Sequence, residues 1–196
     1  MAFWTDAQFE DPKRAYRFLV DIGRMPNGAT WYAKSCKKPE ITISTIEHNF
    51  LNHKFYYPGR AEWAEVTVTL VDPVSPDAAI NTAAIIRAGG YNPPKNVNDA
   101  ATISKQASVA AIGSVKISQI NSLGDAVETW TLWNPFITGV TYGDLDYSSD
   151  DMTEITVTLR YDWAIIETPL KSETGAKRPD GKDVDSNTFF NPGENN

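Results

Sequence analysis

The sequence has little of what disulfide-bonded, membrane-spanning or catalytic proteins require. Its single cysteine, Cys36, can form no disulfide within the chain, and we expect a free thiol in a reducing compartment. Its two histidines, His48 and His53, leave few candidates for a general base. No stretch approaches the ~18 consecutive apolar residues of a membrane span. The first residues also lack the basic start and apolar core of a signal peptide.

Positive charge is scarce as well. The chain has 18 Lys and Arg against 25 Asp and Glu, so its formal net charge is −7. A protein that grips nucleic acid through the phosphates needs a basic face. This balance argues against tight nucleic-acid binding, but not against lying beside DNA that must stay mobile; a generic acidic protein fits it equally well. With 41% hydrophobic and 22% charged residues, the composition is that of an ordinary globular domain.

Alternating apolar and polar residues predict about eight β-strands. The clearest alternation covers 154–163, where Ile155, Val157 and Leu159 share one face. Strands with one apolar and one polar face are typical of antiparallel sheets, whereas parallel sheets are buried on both faces. The predicted fold class is therefore mainly β, an antiparallel β-sandwich or barrel-like subunit.

One flanking α-helix is predicted over 75–89. Ser75 is suited to the N-cap, Pro76 to the first helical position and Gly89 to the stop. We expect one β domain over 1–166, with an irregular N-terminal arm over 1–12 and a mobile connection over 91–111. Residues 167–196 have too few apolar side chains to build a core, so we expect a flexible tail there unless a partner binds it.

The most informative stretch is 47–60, in which aromatic residues are concentrated. They do not alternate cleanly, and the Pro58-Gly59 pair indicates a turn, so we predict a projecting hairpin or loop before the next core strand. A projecting aromatic segment packs on another molecule, and a second copy of the chain is the simplest partner. This pattern predicts an assembly subunit; burial of the aromatics in the chain's own core is the alternative.

No catalytic, cofactor or metal template fits the sequence. His48 and His53 lack zinc-ligand spacing with Cys36 and Glu47. The acidic run that begins at Asp144 lacks the glycine and the final glutamate of a calcium loop. The glycines near the C-terminus miss the phosphate-loop spacing. We therefore expect no enzyme, no cofactor and no metal.

Several ordered blocks also resemble a known family. The chain contains FLNHKFYYPGRAEW, then VTVTLVDPVSPDAA, and later GDLDYSSDDMTEITVTLRYDWA. These blocks, preceded by RAYRFLVDI and WYAKSCKKPEITI, resemble the tail tube protein of contractile-tailed (myovirus-type) bacteriophages over about 12–166. The 91–111 segment and the residues after 166 depart from that pattern.

The resemblance implies a structural protein of the virion tail, made in the host bacterial cytoplasm. Hexameric rings would stack into a hollow tube inside the contractile sheath, with sheath protein, baseplate and tail terminator as partners. DNA would pass through the lumen without specific binding. The predicted inter-subunit interface comprises Phe50, Leu51, Phe55, Tyr56, Tyr57, Pro58, Gly59 and Arg60. An acidic lumen is expected, with contributions from Asp144, Asp146, Asp150, Asp151 and Glu154.

Two alternatives stay open. Within the same family, the chain would be a baseplate-proximal tube initiator or the tube of a contractile injection device. In a different class, it would be a carbohydrate- or protein-binding β-sandwich module. That module would use tryptophans as stacking platforms, so Trp63, Trp130 or Trp133 would have to be exposed.

Overall fold

The computed structural model describes residues 12–25, 32–94, 102–168 and 188–189, which form eleven β-strands and two α-helices. The helices are α1 (Ala78–Ala88) and α2 (Lys105–Ile112). The strands are β1 (Phe18–Ile22), β2 (Ala33–Cys36), β3 (Ile41–Phe50), β4 (His53–Trp63), β5 (Val66–Val71), β6 (Val115–Ile120), β7 (Ala126–Trp133), β8 (Phe136–Thr141), β9 (Glu154–Arg160), β10 (Trp163–Glu167) and β11 (Thr188–Phe189).

The strands form two larger sheets and one separate hairpin. Sheet 1 has the order β1-β6-β7-β10-β11, and sheet 2 has the order β2-β5-β9-β8. The pairs are antiparallel throughout. Strands β3 and β4 pair with each other in a two-stranded sheet. The predicted fold class, a mainly β antiparallel architecture, is confirmed.

The core lies between the two sheets, as the alternation of the sequence requires. On β5 and β9 every second residue is buried and the residues between them are partly exposed. Their opposite neighbours in the register, such as Val68 and Val157, both point into the core. Completely inaccessible apolar side chains come from both sheets: Val20, Ile22, Val66, Val68, Leu70, Val115, Ile155, Val157, Leu159 and Ala164.

Both helices add to this core, and one of them was not predicted. Helix α1 starts at Ala78 because Asp77, and not Ser75, caps it: the Asp77 carboxylate accepts the amide of Ile80 at 2.8 Å. Helix α2 occupies 105–112, within the segment predicted as a mobile connection. Ser104 caps α2 and Ile112 anchors it in the core. Its alanine-rich sequence gives no strong apolar stripe, which is why periodicity missed it.

The long strand predicted over 154–163 is two strands in different sheets. Strand β9 ends at Arg160 in sheet 2, and β10 begins at Trp163 in sheet 1. Between them the amide of Asp162 donates to the Trp133 carbonyl at 3.0 Å, which guides the chain to β7. The Asp162 carboxylate also accepts Lys105 at 2.7 Å. The core-facing positions shift by one residue at this crossing: Tyr161 is buried, Trp163 is only partly buried, and Ala164 packs in the core.

An ionic cluster around the buried Glu128 connects sheet 1 to the segment between β2 and β3. Glu128 on β7 is only 7% exposed. Its carboxylate accepts hydrogen bonds from the Lys38 ammonium at 2.7 Å, from the Trp130 indole at 2.6 Å and from Lys13. Lys38 also donates to Gln119, the neighbour of Glu128 across β6–β7, at 2.7 Å. Burial raises the pKa of Glu128, but the three hydrogen bonds and the Lys38 charge outweigh it and lower that pKa to about 2.

The lowered pKa predicts an acid-dependent loss of stability. In the unfolded chain this carboxyl regains an ordinary pKa near 4.5, so its contribution is complete above that pH and is lost as the pH falls towards about 2. Glu128→Gln should unfold at lower urea than the parent protein at pH 7, with a loss of about 1–3 kcal/mol. The difference between the two proteins should shrink progressively below about pH 4.5.

Urea titrations at a series of pH values measure this difference. Glu167→Gln, on the exposed part of β10 in the same sheet, is the matched control and should stay within about 0.5 kcal/mol of the parent protein. A constant difference between Glu128→Gln and the parent protein down to pH 2 would contradict the assignment.

Candidate assembly interface

The stretch predicted as a projecting hairpin or loop is the distal part of the long β3–β4 hairpin. Its strands extend over ten and eleven residues, which corresponds to roughly 33 Å at the usual rise per residue. A two-residue turn, Leu51-Asn52, joins them, and Leu51 has a left-handed backbone with φ 53°. The segment predicted over 47–60 as a projecting hairpin or loop is therefore a hairpin. The length of its strands was not predicted, because leucine is not a residue that marks such turns.

The register of the hairpin sorts its side chains onto two different faces. Residues directly opposite each other in an antiparallel pair share a face, and the faces alternate along each strand. The apolar face carries three cross-strand pairs: Ile46 with Tyr57, His48 with Phe55, and Phe50 with His53. The mixed face carries Thr45 with Pro58, Glu47 with Tyr56, and Asn49 with Lys54. Lys54 and Glu47 form an ion pair at 2.9 Å on this mixed face.

The Pro58-Gly59 pair, interpreted from the sequence as a turn, lies inside β4 at a β-bulge. The register shifts between Ile43 and Thr45, and the Arg60 amide donates to the Ser44 hydroxyl at 2.9 Å. A Cβ at Gly59 would clash with that hydroxyl and would lie 3.0 Å from the Ser44 carbonyl oxygen. A two-stranded sheet tolerates proline because each strand has one unpaired edge.

Large apolar side chains of the hairpin are exposed to water. Phe50 is 59% exposed, Phe55 48% and Tyr57 55%, while Leu51 at the tip and Tyr56 are also open. Burying the exposed part of one such side chain stabilises by roughly 1 kcal/mol. An isolated two-stranded hairpin is at best marginally stable in water. The hairpin therefore has the composition of a surface that another molecule covers.

The root of the hairpin is held by the body of the protein. The Ala64 amide donates to the Glu40 carbonyl at 2.9 Å, which closes the hairpin where it leaves the sandwich. Trp63, the last residue of β4, packs on Tyr161 with 6.0 Å between the ring centroids. The apolar character of the hairpin thus changes from core-packed at its root to exposed at its tip.

The predicted lumen acids occupy one loop and the start of one strand. Asp144, Asp146, Asp150 and Asp151 are exposed in the loop between β8 and β9, which lines a cleft of about 650 Å³. The amide and hydroxyl of Ser148 both donate to Asp146 at 2.9 Å, and these hydrogen bonds lower the pKa of Asp146. Leu145, Tyr147 and Met152 are exposed in the same loop.

Glu154 has a different environment from the four aspartates. It begins β9 and forms an ion pair with Lys34 on β2. The two side chains lie on the outer face of sheet 2, the face opposite to the core. This face is rich in hydroxyl groups, and it carries the opposite pairs Thr67 with Thr158 and Thr69 with Thr156.

The residues considered for metal binding do not form a ligand set. His48 and His53 lie on the apolar face of the hairpin as diagonal neighbours. Cys36 ends β2 and packs against the core, where burial raises the pKa of its thiol to about 12. Within the described ranges, no group of three or more His, Cys, Asp or Glu residues is arranged to hold a metal ion.

The tryptophans named for a glycan-binding module differ in exposure. Trp63 and Trp130 are partly buried against the core, and the Trp130 indole is bound to Glu128. Trp133 is 43% exposed and stacks on Trp163 with 5.8 Å between the ring centroids. Of the three tryptophans, only Trp133 therefore offers an exposed stacking surface.

Sequence reasoning missed Ile46 as a neighbour of the aromatic residues. The signal there is weak: Ile41 and Ile43 alternate with polar residues, but the polar pair Ser44-Thr45 breaks the alternation before Ile46, and a polar run follows it. Alternation along a strand is enough to separate Phe55 and Tyr57 from Tyr56, but the cross-strand partners, such as Ile46 for Tyr57, follow only from the register.

Gly59→Ala should release the bulge and loosen the hairpin. The new methyl group cannot be placed without moving Ser44, which breaks its hydrogen bond with the Arg60 amide. We expect the hydrogen-exchange protection of the β3 and β4 amides to fall about tenfold or more, which corresponds to ~1.4 kcal/mol. The thermal midpoint of the sandwich should change little, because the hairpin lies outside the core.

Gly139→Ala on β8 is the matched control. A Cβ at Gly139 meets Thr158 only at an ordinary contact distance of 3.9 Å, so hairpin exchange should stay at the parental rate. Unchanged protection in Gly59→Ala would contradict the structural requirement for glycine at the bulge.

Comparison with known proteins gives a fold but no sequence relative. No protein-family model matches the chain, and no curated protein matches it. Among solved structures, a chain of the PVC extracellular contractile injection system, from its sheath–tube complex in the extended state, is 23% identical. The match covers 81% of this chain and 93% of that chain, with a TM-score of 0.59.

Two further structures are similar. A chain from the sheath/tube terminator of the PVC system is 22% identical and covers 82% of this chain and 100% of that one, with a TM-score of 0.60. A chain from the tube terminating cap of the anti-feeding prophage is 23% identical, covers 86% and 99% of the two chains, and has a TM-score of 0.54. In the part of the chain that the structure describes, no helix is long and apolar enough to cross a membrane. The likeness to these three structures shows that the chain has the β-sandwich fold found in these components of contractile injection systems.

Proposed function

We propose that this protein is a structural subunit that assembles into the tube of a contractile tail or injection apparatus. The observation that carries the proposal is the exposed apolar face of a hairpin that projects from a fold found in contractile injection systems. The hairpin residues 50–60 form the inter-subunit contact. Sheath and baseplate proteins are its other partners, and its role is structural, without catalysis.

The energetics favour a closed assembly over a simple dimer. Burying the exposed parts of Ile46, Phe50, Phe55 and Tyr57 gives roughly 4 kcal/mol in all. Association of two proteins costs an estimated 4–15 kcal/mol in lost freedom. One hairpin contact is therefore marginal by itself. In a ring each subunit both gives and receives a hairpin, and stacking adds further contacts, so we infer rings that stack head to tail. Six subunits per ring is the number that the resemblance to tail tube proteins implies.

The outer face of sheet 2 is the face best suited to a water-filled lumen. It is polar, rich in threonine and locally balanced in charge by the pair of Lys34 and Glu154. The loop between β8 and β9 adds Asp144, Asp146, Asp150 and Asp151 beside it. These carboxylates repel phosphates over roughly 8–10 Å at moderate salt. The proposed lumen thus lets DNA slide without specific binding, as in a phage tail that conducts the genome into the host.

Removing the aromatic rings of the apolar face should abolish assembly and leave the monomer folded. In Phe55→Ala with Tyr57→Ala, both lost rings lie on one face of the hairpin and outside the core. We expect parental circular dichroism and thermal midpoint, and no filaments by negative-stain electron microscopy and light scattering. Tyr56→Ala on the mixed face should weaken assembly less.

A variant with Ile80→Ala and Tyr91→Ala controls for the loss of exposed apolar surface elsewhere. Both side chains are more than half exposed, and they lie at α1 and just after it. This variant should form filaments like the parent protein. Filaments in the Phe55/Tyr57 variant, or global unfolding of it, would overturn the proposed role of the hairpin.

A cryo-electron microscopy map of the assembled tube tests the lumen. We expect sheet 2 to face the channel, with the five acidic residues at or near its wall. A basic channel, or a position of these acids against the sheath, would contradict the proposal. Parental tubes should not co-sediment with short duplex DNA. Tubes with Asp144→Lys and Asp146→Lys should retain that DNA at low salt and release it as the salt rises.

A tube initiator or terminator is the second candidate function. The specific observation is the likeness to chains of the PVC terminator and the anti-feeding prophage cap, which cover those chains almost completely. A main tube subunit stacks indefinitely, whereas an initiator or terminator stops after one or a few rings. Filament length in the same micrographs separates them: isolated rings at every concentration would favour the second candidate.

A further inference from the structure

The segment that leads into the hairpin is bound to both sheets of the sandwich. The Lys37 amide donates to the Thr67 carbonyl of β5 at 2.9 Å, which ties the segment to sheet 2. One residue later, the Lys38 ammonium reaches Glu128 and Gln119 in sheet 1, each at 2.7 Å. Strand β3 begins three residues after Lys38. The hairpin therefore starts from a point that is fixed on two sides.

The acceptor on sheet 1 is itself held in place. The Trp130 indole donates to the same Glu128 oxygen that Lys38 uses, and Lys13 binds the other oxygen. The Gln119 amide nitrogen donates to the Arg14 carbonyl at 3.2 Å, which turns its oxygen towards Lys38. Lys38 thus binds two acceptors whose positions are set by other groups, and a side chain held in this way has little rotational freedom left.

The hairpin gains no comparable restraint along its length from strand pairing, because β3 and β4 pair only with each other among the described residues. For an arm of roughly 33 Å, a small rotation at the root becomes a displacement of several ångströms at the tip. We propose that Glu128 is the residue that sets the direction of the β3–β4 hairpin, acting through Lys38.

The orientation of the hairpin has a consequence for assembly, which rests on the proposed function. If only a fraction of free subunits has the hairpin in the binding direction, the apparent affinity falls by that same fraction. Loss of the Glu128 anchor that leaves about one hairpin in ten correctly oriented would raise the concentration needed for filaments about tenfold. The orientation itself is a property of the single subunit, so it is measured without any assembly.

Pulsed electron–electron double resonance on the full-length, unassembled chain measures the orientation of the hairpin, through the distance between two spin labels. Spin labels are placed at Asn52→Cys in the hairpin turn and at Leu123→Cys in the exposed turn between β6 and β7, with Cys36→Ala removing the native thiol. The parent protein should give a narrow distance distribution. Glu128→Gln and Lys38→Gln should each broaden it about twofold or more.

Two controls separate positioning from general loosening. Lys13→Gln removes the other ammonium from the same carboxylate but leaves the link to Lys38, so its distribution should stay narrow. Glu167→Gln removes an exposed carboxylate from sheet 1 and should also stay narrow. If Glu128→Gln folds poorly, Lys38→Gln still decides, because there Glu128 keeps Lys13 and Trp130 as partners.

Narrow distributions in both Glu128→Gln and Lys38→Gln would overturn the inference, as would equal broadening in Lys13→Gln. Failure of the parent protein to form filaments or rings would instead contradict the proposed function and leave the distance result intact. Broadening in the two variants, together with a roughly tenfold rise in the concentration needed for filaments, would support both.

Discussion

The β3–β4 hairpin exposes an apolar face to water. The two sheets already share one core, and that core is filled by side chains from both sheets and both helices. Phe50, Phe55 and Tyr57 therefore have their rings on the outside of the sandwich, at a cost of roughly 1 kcal/mol each. A soluble protein keeps such a surface when a partner covers it. The exposed hairpin beside a filled core follows from this division of apolar residues.

A fixed root reduces the conformational freedom that the β3–β4 hairpin loses when it binds a partner. A flexible arm would lose conformational freedom on binding, and that loss would offset much of the modest gain from its apolar face. This loss is smaller because the Lys37 amide and the Lys38 ammonium hold the root of the hairpin to both sheets. Buried charge is usually a weak source of stability. Here the Glu128 cluster is better understood as a source of defined direction, which an apolar contact would supply less sharply.

Solved structures support the fold, whereas the proposed function depends on the exposed surface of this chain. The likeness to chains of contractile injection systems concerns backbone architecture, at about 22–23% sequence identity. That fold does not separate a tube subunit from a terminator, because chains from a sheath–tube complex and from terminator complexes are similar to it. The proposed function therefore depends on surface residues such as those of the hairpin and of the loop between β8 and β9.

The sequence by itself determined the fold class, because alternation on strands such as β5 and β9 translates directly into buried and exposed faces. It also determined where the unusual apolar surface lies. Tertiary structure decided the rest. The register of β3 and β4 sets the cross-strand partners, such as Ile46 for Tyr57 and His48 for Phe55, which local composition does not encode. The bulge at Gly59, the second helix and the meeting of Glu128 with Lys38 likewise depend on contacts between residues far apart in the chain.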